Sequence, residues 1–253
     1  DLLVHGEQPV APEAEEKYLN WIRQRAEHIP LQQLTGEQGF MGLTFSVNEH
    51  VLIPRQDTEI LVEEVLKELH DGMRVLDMCT GSGCILLSLL HYSNDCEGLG
   101  VDLSAEALEV AGRNVLKVLT PEKAEHAHFL QSDLFEKVEG KFEIIVSNPP
   151  YIASAEVEKL MPEVRDHEPR MALDGTEDGL YFYRRIIEEA GKHLVSSGML
   201  FFEIGYDQGQ AVSELMRTEG YCDVQVVQDY AGLDRVVFGT YVTVQPAPFA
   251  KSR

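Results

Sequence analysis

Four short segments hold residue types whose spacing could do chemistry. The first is Val75-Leu76-Asp77-Met78-Cys79-Thr80-Gly81-Ser82-Gly83-Cys84, an apolar strand that runs into a glycine-bearing loop and then a helix. Glycines let a backbone approach a ligand closely, and a helix N-terminus offers N–H groups without intrahelical partners. A dinucleotide fingerprint needs a third glycine at position 86, where this chain has Leu86, so the NAD reading weakens. What remains is an acid-x-G-x-G-x-G loop with Cys79 in the first glycine position. In such a loop Asp77 would meet a ligand ammonium group and the glycines would make room for an adenosine. A plain tight turn is the competing reading.

The second segment is Gly100-Val101-Asp102, at the end of the next strand. A carboxylate there could accept two hydrogen bonds from a ribose diol, or it could cap the helix that follows at 104. The third is Gln131-Ser132-Asp133-Leu134, where Asp133 would accept from an exocyclic purine amine and Leu134 would cover the ring. Each is weak alone. Together they fall at the carboxyl ends of consecutive strands, where open α/β sheets bind their ligands. The fourth is Ile144-Ile145-Val146-Ser147-Asn148-Pro149-Pro150-Tyr151. Each proline fixes its own φ and removes an N–H, so the exit from this strand is stiff. The Asn148 side-chain oxygen and the Pro149 carbonyl could together accept both hydrogens of a planar –NH₂ group. Tyr151 offers an aromatic face for a flat group. This is a clamp for an amide or amino-purine nitrogen.

These segments need a scaffold that brings strand ends together. After Asp71-Gly72, short apolar strands are expected at 74–78, 98–102, 127–132, 142–147, 199–204, 223–228 and 235–242. Helices are expected at 83–92, 104–118, 181–194 and 208–219, with Ser104 as an N-cap. That alternation specifies a largely parallel sheet covered on both faces, with one of the last two strands antiparallel. Upstream, Ala14, Tyr18, Trp21, Ile22 and Arg25 fall at helical spacing behind Pro12. Residues 36–54 alternate like a short hairpin, and Asp57 or Thr58 could cap a helix carrying Ile60, Leu61, Val65, Leu66 and Leu69. Residues 152–180 have little apolar periodicity and are expected to form a loop beside the substrate.

Composition sets the class. At 253 residues, 44% hydrophobic and 25% charged, the chain is an ordinary globular protein. With 21 Lys and Arg against 43 Asp and Glu, its net charge of −22 repels phosphate backbones and argues against stable nucleic-acid binding. No apolar run is long enough for a membrane helix, and no signal-peptide pattern opens the chain. The four cysteines form no CxxC pair, which makes a reducing cytoplasm the default setting. His126 and His128 alternate in a strand as surface residues rather than ligands, and no metal is expected.

Asn148-Pro149-Pro150-Tyr151 together with the 77–83 loop resembles the amino-methyltransferases that use S-adenosylmethionine. More closely, the chain resembles the HemK/PrmC family, which methylates the glutamine of the Gly-Gly-Gln loop in class-1 peptide chain release factors. The finer matches are Leu52-Ile53-Pro54-Arg55-Gln56-Asp57-Thr58-Glu59, Glu168-Pro169-Arg170-Met171-Ala172-Leu173-Asp174-Gly175, Asp178-Gly179-Leu180 leading into Tyr183-Arg184-Arg185-Ile186, and Gly205 with Gln208-Gly209. The resemblance implies an α/β, Rossmann-like class I methyltransferase fold with a seven-stranded, mostly parallel sheet. It implies cofactor contacts at Asp77, Cys79, Thr80, Gly81, Ser82, Gly83, Asp102, Asp133, Leu134 and Asn148. The substrate glutamine would be held by Asn148, Pro149, Pro150 and Tyr151, with Asn148, Pro149 and Tyr151 as the catalytic set. Cys79 stands where the family usually has glycine, so its side chain should point away from the ligand or reshape the methionine pocket. Gln56 replaces the family's usual proline.

Under this reading residues 1–35 are part of an N-terminal helical docking domain, trimmed at Asp1, and 36–56 are a hairpin linker. Residues 57–243 form the methyltransferase domain, and 244–253 a loose tail. A DNA or RNA adenine amino-methyltransferase would share the clamp but would need a basic groove or recognition domain. A non-catalytic adenosine-binding scaffold is suggested only by Cys79.

Overall fold

The computed structural model describes residue 6 and residues 8–242; the tail expected at 244–253 lies outside them. The chain opens with α1 (Pro12–Ala26) and the single turn α2 (Leu31–Thr35), and then forms a hairpin of β1 (Glu37–Phe40) and β2 (Leu43–Ser46). Next come α3 (Asp57–Glu68), β3 (Arg74–Met78), α4 (Cys84–Tyr92), β4 (Glu97–Asp102), α5 (Ala105–Val118), α6 (Pro121–Ala124), β5 (Ala127–Gln131) and β6 (Phe142–Ser147). The short turns α7 (Ser154–Val157) and α8 (Pro162–Arg165) and a 3₁₀ turn (Arg170–Ala172) lead to α9 (Tyr181–Ala190) and β7 (Leu194–Glu203). The chain closes with α10 (Gly209–Thr218), β8 (Tyr221–Gln228) and β9 (Asp234–Tyr241).

Seven strands form one sheet in the order β5-β4-β3-β6-β7-β9-β8. All neighbouring pairs up to β6–β7 are parallel, and β9 runs antiparallel to both β7 and β8. The expected sheet is therefore present, and β9 is its reversed strand. Near-continuous apolar strands follow from burial on both faces. Val75, Ile144 and Phe201 sit in one core with residues of α3, α4 and the hairpin, while Leu76, Ile145 and Phe202 sit in the other with residues of α9 and α10.

Some boundaries differ from expectation for identifiable reasons. Val47, Val51 and Ile53 alternate like a strand, but only Leu43–Ser46 pairs; Val47 and Val51 instead pack on Ala107 and Val110 of α5. Neither Asp57 nor Thr58 caps α3, whose start has no side-chain cap. Thr58 is buried and Asp57 pairs with Arg235 at 3.6 Å. The helix expected to reach 194 ends at Ala190, and β7 begins at Leu194 with a bulge before Met199, which contains Ser197 at φ 64°. Ser104 does cap α5, its hydroxyl accepting from the Ala107 N–H at 3.0 Å.

Asn114 of α5 joins three pieces of this scaffold. Fully buried, it accepts from the Ser46 N–H at 2.7 Å and donates to the carbonyls of Ser46 (3.1 Å) and Ser82 (2.9 Å). The hairpin and the loop at the tip of β3 thus hang on one amide. Replacing it would leave buried backbone groups unpaired, each at about 1–3 kcal/mol. Asn114→Leu should lower the unfolding free energy by about 2–4 kcal/mol, read as a lower urea midpoint.

Candidate active site

The parallel pairing of β3 with β4 and β6 sets Met78 beside Val101 on one side and Ser147 on the other. The loops that leave these strands therefore converge at one end of the sheet. They line a cleft of about 1170 Å³ of empty space, open mouth included. Its walls include Cys79, Thr80, Gly81, Ser82, Asp102, Asp133, Leu134, Asn148 and Pro150.

The glycine-bearing loop explains its own sequence pattern. Residues 79, 81 and 83 all have positive φ (63°, 54° and 78°), so alternate positions favour glycine. Cys79 takes the left-handed conformation at a cost of about 1–2 kcal/mol, half-buried on the cleft wall. A side chain at position 83 would press within 3.2 Å of Ala111 and Leu87, where α4 packs on α5.

Asp102 accepts from the Gly81 N–H at 2.8 Å and from the Ser104 N–H at 2.9 Å. Asp102 thus lies on the cleft wall and also receives the chain entering α5. Burial pushes its carboxyl above the usual range, against the backbone donors at Ser104, Gly81 and Leu103. Asp133 faces the cleft, and its Oδ1 accepts from Arg185 of α9 at 2.9 Å. Leu134, at φ 46°, covers the adjacent wall. Asn148 is half-buried on the wall, and among the described residues its amide has no hydrogen-bond partner.

Four of the expected site residues lie behind the wall. Asp77 is fully buried, and its Oδ2 accepts from the Thr80 hydroxyl (2.6 Å) and the Leu86 N–H (3.3 Å), so it ties the loop to α4. Gly83 serves helix packing. Pro149, between Asn148 and Pro150, is buried. Tyr151 packs against the core that contains α9, and its hydroxyl donates to Glu203 Oε1 at 3.2 Å. Burial, reinforced by the Glu203 charge, raises that phenol well above its ordinary value.

Other cleft residues come from two further segments: Leu52, Pro54, Arg55 and Thr58 from the stretch that leads into α3, and Pro169, Met171, Ala172 and Asp174 from the 152–180 segment. Phe182 of α9 joins them. The 152–180 segment does reach the cleft, but it carries short helical turns and is not a bare loop. Arg55 pairs with buried Glu168, which also accepts from the Ile53 N–H at 3.3 Å, so one ion pair joins the two segments. Glu59 accepts from the Met41 N–H at 2.7 Å, at the hairpin turn, and Arg170 bonds Glu158 at 2.6 Å and Asp174 at 3.3 Å. Glu59 and Arg170 are structural ties.

Sequence comparison agrees with the architecture. Residues 55–164 match the Methyltransferase small domain family and residues 1–36 match the PrmC N-terminal domain family. Over 240 residues the chain is 42% identical to the release factor glutamine methyltransferase of Clostridium acetobutylicum, covering 93% of this chain and 84% of that one. The chain belongs to the release factor glutamine methyltransferase family. The Moorella thermoacetica family member is 45% identical over 238 residues, 92% of this chain and 83% of that one. A methyltransferase structure from Pyrococcus furiosus, only 18% identical, shares the fold with a TM-score of 0.59 over 87% of this chain and 99% of its own. Among the described residues, no helix is long and apolar enough to cross a membrane.

For a family member, the buried acid of the loop has a measurable signature. Burial raises Asp77 from an ordinary 3.8 to about 7, opposed by the Thr80 hydroxyl and the Leu86 N–H. The folded chain therefore holds this proton more tightly than the unfolded one. The resulting stability is full below pH 3.8 and is lost as pH rises through about 7, at up to about 1.4 kcal/mol per pH unit. Asp77→Asn should shed that dependence. Its melting temperature relative to the parent should be higher at pH 8 than at pH 5.

Proposed function

We propose that this chain transfers a methyl group from S-adenosylmethionine to the side-chain amide nitrogen of the glutamine in the Gly-Gly-Gln motif of class-1 release factors. The observation that carries this reading is the unengaged Asn148 amide on the cleft wall, followed by two prolines. Relatives named release factor glutamine methyltransferase over most of their length support the choice of substrate.

The cleft suits the cofactor. Leu134, Val101 and Ala107 offer apolar cover for a purine, and Asp133 keeps a carboxylate at the wall for its amine. Asp102 would receive a ribose diol, while Cys79, Thr80, Gly81 and Ser82 bring backbone close to the remainder, with Gly83 packing α4 on α5 and Asp77 bracing the loop from behind. S-adenosylmethionine, when bound, supplies an electrophilic methyl group on a sulfonium.

The chain's own contribution is orientation. A carboxamide nitrogen is a poor nucleophile because its lone pair is delocalised into the carbonyl. Asn148 Oδ1 and the Pro149 carbonyl accept its two hydrogens, push density back onto nitrogen and aim the remaining lone pair. Pro150 and Tyr151 hold that pair of acceptors in place. No base is required beforehand, since the nitrogen can lose its proton to solvent after transfer. Alignment of this kind is worth at most about 7–11 kcal/mol. Residues 1–35 form the docking segment for the release factor, residues 36–56 link it to the transfer domain at 57–243, and the enzyme works in the cytoplasm on translation termination without stable nucleic-acid binding.

The test offers methyl-labelled cofactor together with a class-1 release factor, its Gly-Gly-Ala variant and a DNA oligonucleotide. Label should enter the release factor alone; label in the oligonucleotide alone would overturn the reading. Asn148→Ala should reduce turnover at least about 100-fold while leaving most cofactor affinity in calorimetry.

A further inference from the structure

The Asn148–Tyr151 segment leaves β6 without any hydrogen-bonded continuation. Pro149 and Pro150 have no N–H, so between Asn148 and Tyr151 the segment has no backbone donor of its own. Its pose must be fixed from outside, and the structure shows where. Gln208, at the start of α10, donates from Nε2 to the Tyr151 carbonyl at 2.9 Å and to the Gly179 carbonyl at 3.3 Å. Its Oε1 accepts from the Gly205 N–H at 2.9 Å. Two carbonyls on one side and an N–H on the other allow only one orientation of this amide.

The surroundings leave the segment little other freedom. A side chain at Gly179 would put its Cβ 2.3 Å from the Tyr151 carbonyl oxygen, and one at Gly175 would come within 2.8 Å of the Tyr151 Cα and 2.9 Å of the Pro150 oxygen. The far end of Tyr151 is tied to Glu203. Tyr151 is therefore pinned at its carbonyl and at its phenol, and two φ-locked residues connect it to Asn148.

We propose that Gln208 is a positioning residue for methyl transfer: by holding the Tyr151 carbonyl it sets the angle at which Asn148 and the Pro149 carbonyl present their acceptors. This rests on the clamp reading given above. Gln208 is not on the cleft wall, so its action passes through Tyr151 and not through the cofactor. Losing its donors lets the two-proline segment pivot about the end of β6 and tilts the acceptor pair. Because transfer depends on alignment, the chemical step suffers more than binding does.

Gln208→Met removes both donors at nearly constant volume, and Gln208→Glu turns an acceptor toward both carbonyls. Release-factor methylation would be measured for each, with turnover expressed per cofactor-binding site counted by calorimetry, so that a misfolded fraction does not count as slow catalysis. The expected result is a kcat lowered about 30-fold, with KM for the release factor and Kd for S-adenosylmethionine within about threefold of the parent. If Gln208→Glu does not fold, Gln208→Met carries the comparison alone. A kcat within threefold of the parent, while Asn148→Ala is inactive, would overturn the role of Gln208 and leave the clamp standing. So would a loss that appears equally in cofactor affinity. Full activity in Asn148→Ala would overturn the clamp itself, and this inference with it.

Discussion

The register of β3 against β6 is the constraint on which the rest of this site depends. Met78 pairs with Ser147, and the Ser147 hydroxyl donates to the Met78 carbonyl at 2.6 Å. That buried pair makes the two strands stop at the same level, so the glycine-bearing loop and the two-proline exit leave the sheet side by side. A slip of one residue would turn every side chain of β6 to the opposite core and carry Asn148 with it. The reversal of strand order at the centre of the sheet, where β4 and β5 lie on one side of β3 and β6 and β7 on the other, opens the crevice these loops surround.

The rigidity of the cleft comes from polar ties outside its lining as much as from the apolar cores. Asp77 braces the loop from below, Asn114 holds it from the hairpin side, and Arg55 with Glu168 closes the two irregular segments over the opposite rim. The Asn114 and Arg55–Glu168 ties join stretches far apart in sequence, whereas the Asp77 tie is local. Burial of Glu168 raises its carboxyl above the ordinary range, while the Arg55 charge and the Ile53 N–H work in the opposite direction.

Much of this was legible in the residues. The sheet could be read because strands buried on both faces are continuously apolar, and the ligand-facing strand ends could be read because glycine, acid and proline stand where an apolar run stops. Cys79 shows where reading by residue type reaches its limit: the sequence marks an unusual substitution, while the φ of 63° gives the reason glycine is favoured there. Tyr151 shows another limit. An exposed aromatic face and a phenol bound to a buried glutamate look the same in a sequence, because Glu203 lies 52 residues away. The same holds for Arg55 and Glu168, whose pairing depends on two segments 113 residues apart meeting beside the cleft. Val47 and Val51 misled for the opposite reason, since their spacing is strand-like but α5 supplies the burial.

The reversal of β9 has a practical corollary. The parallel strands point toward the cleft, whereas β9 carries the chain back beside β7 and delivers Val242 at the opposite end of the sheet. A fluorophore, affinity tag or surface tether joined beyond that residue would begin roughly 25 Å from the cleft mouth, one eight-residue strand away. The enzyme could be immobilised or fused through that side with its entrance still facing solution.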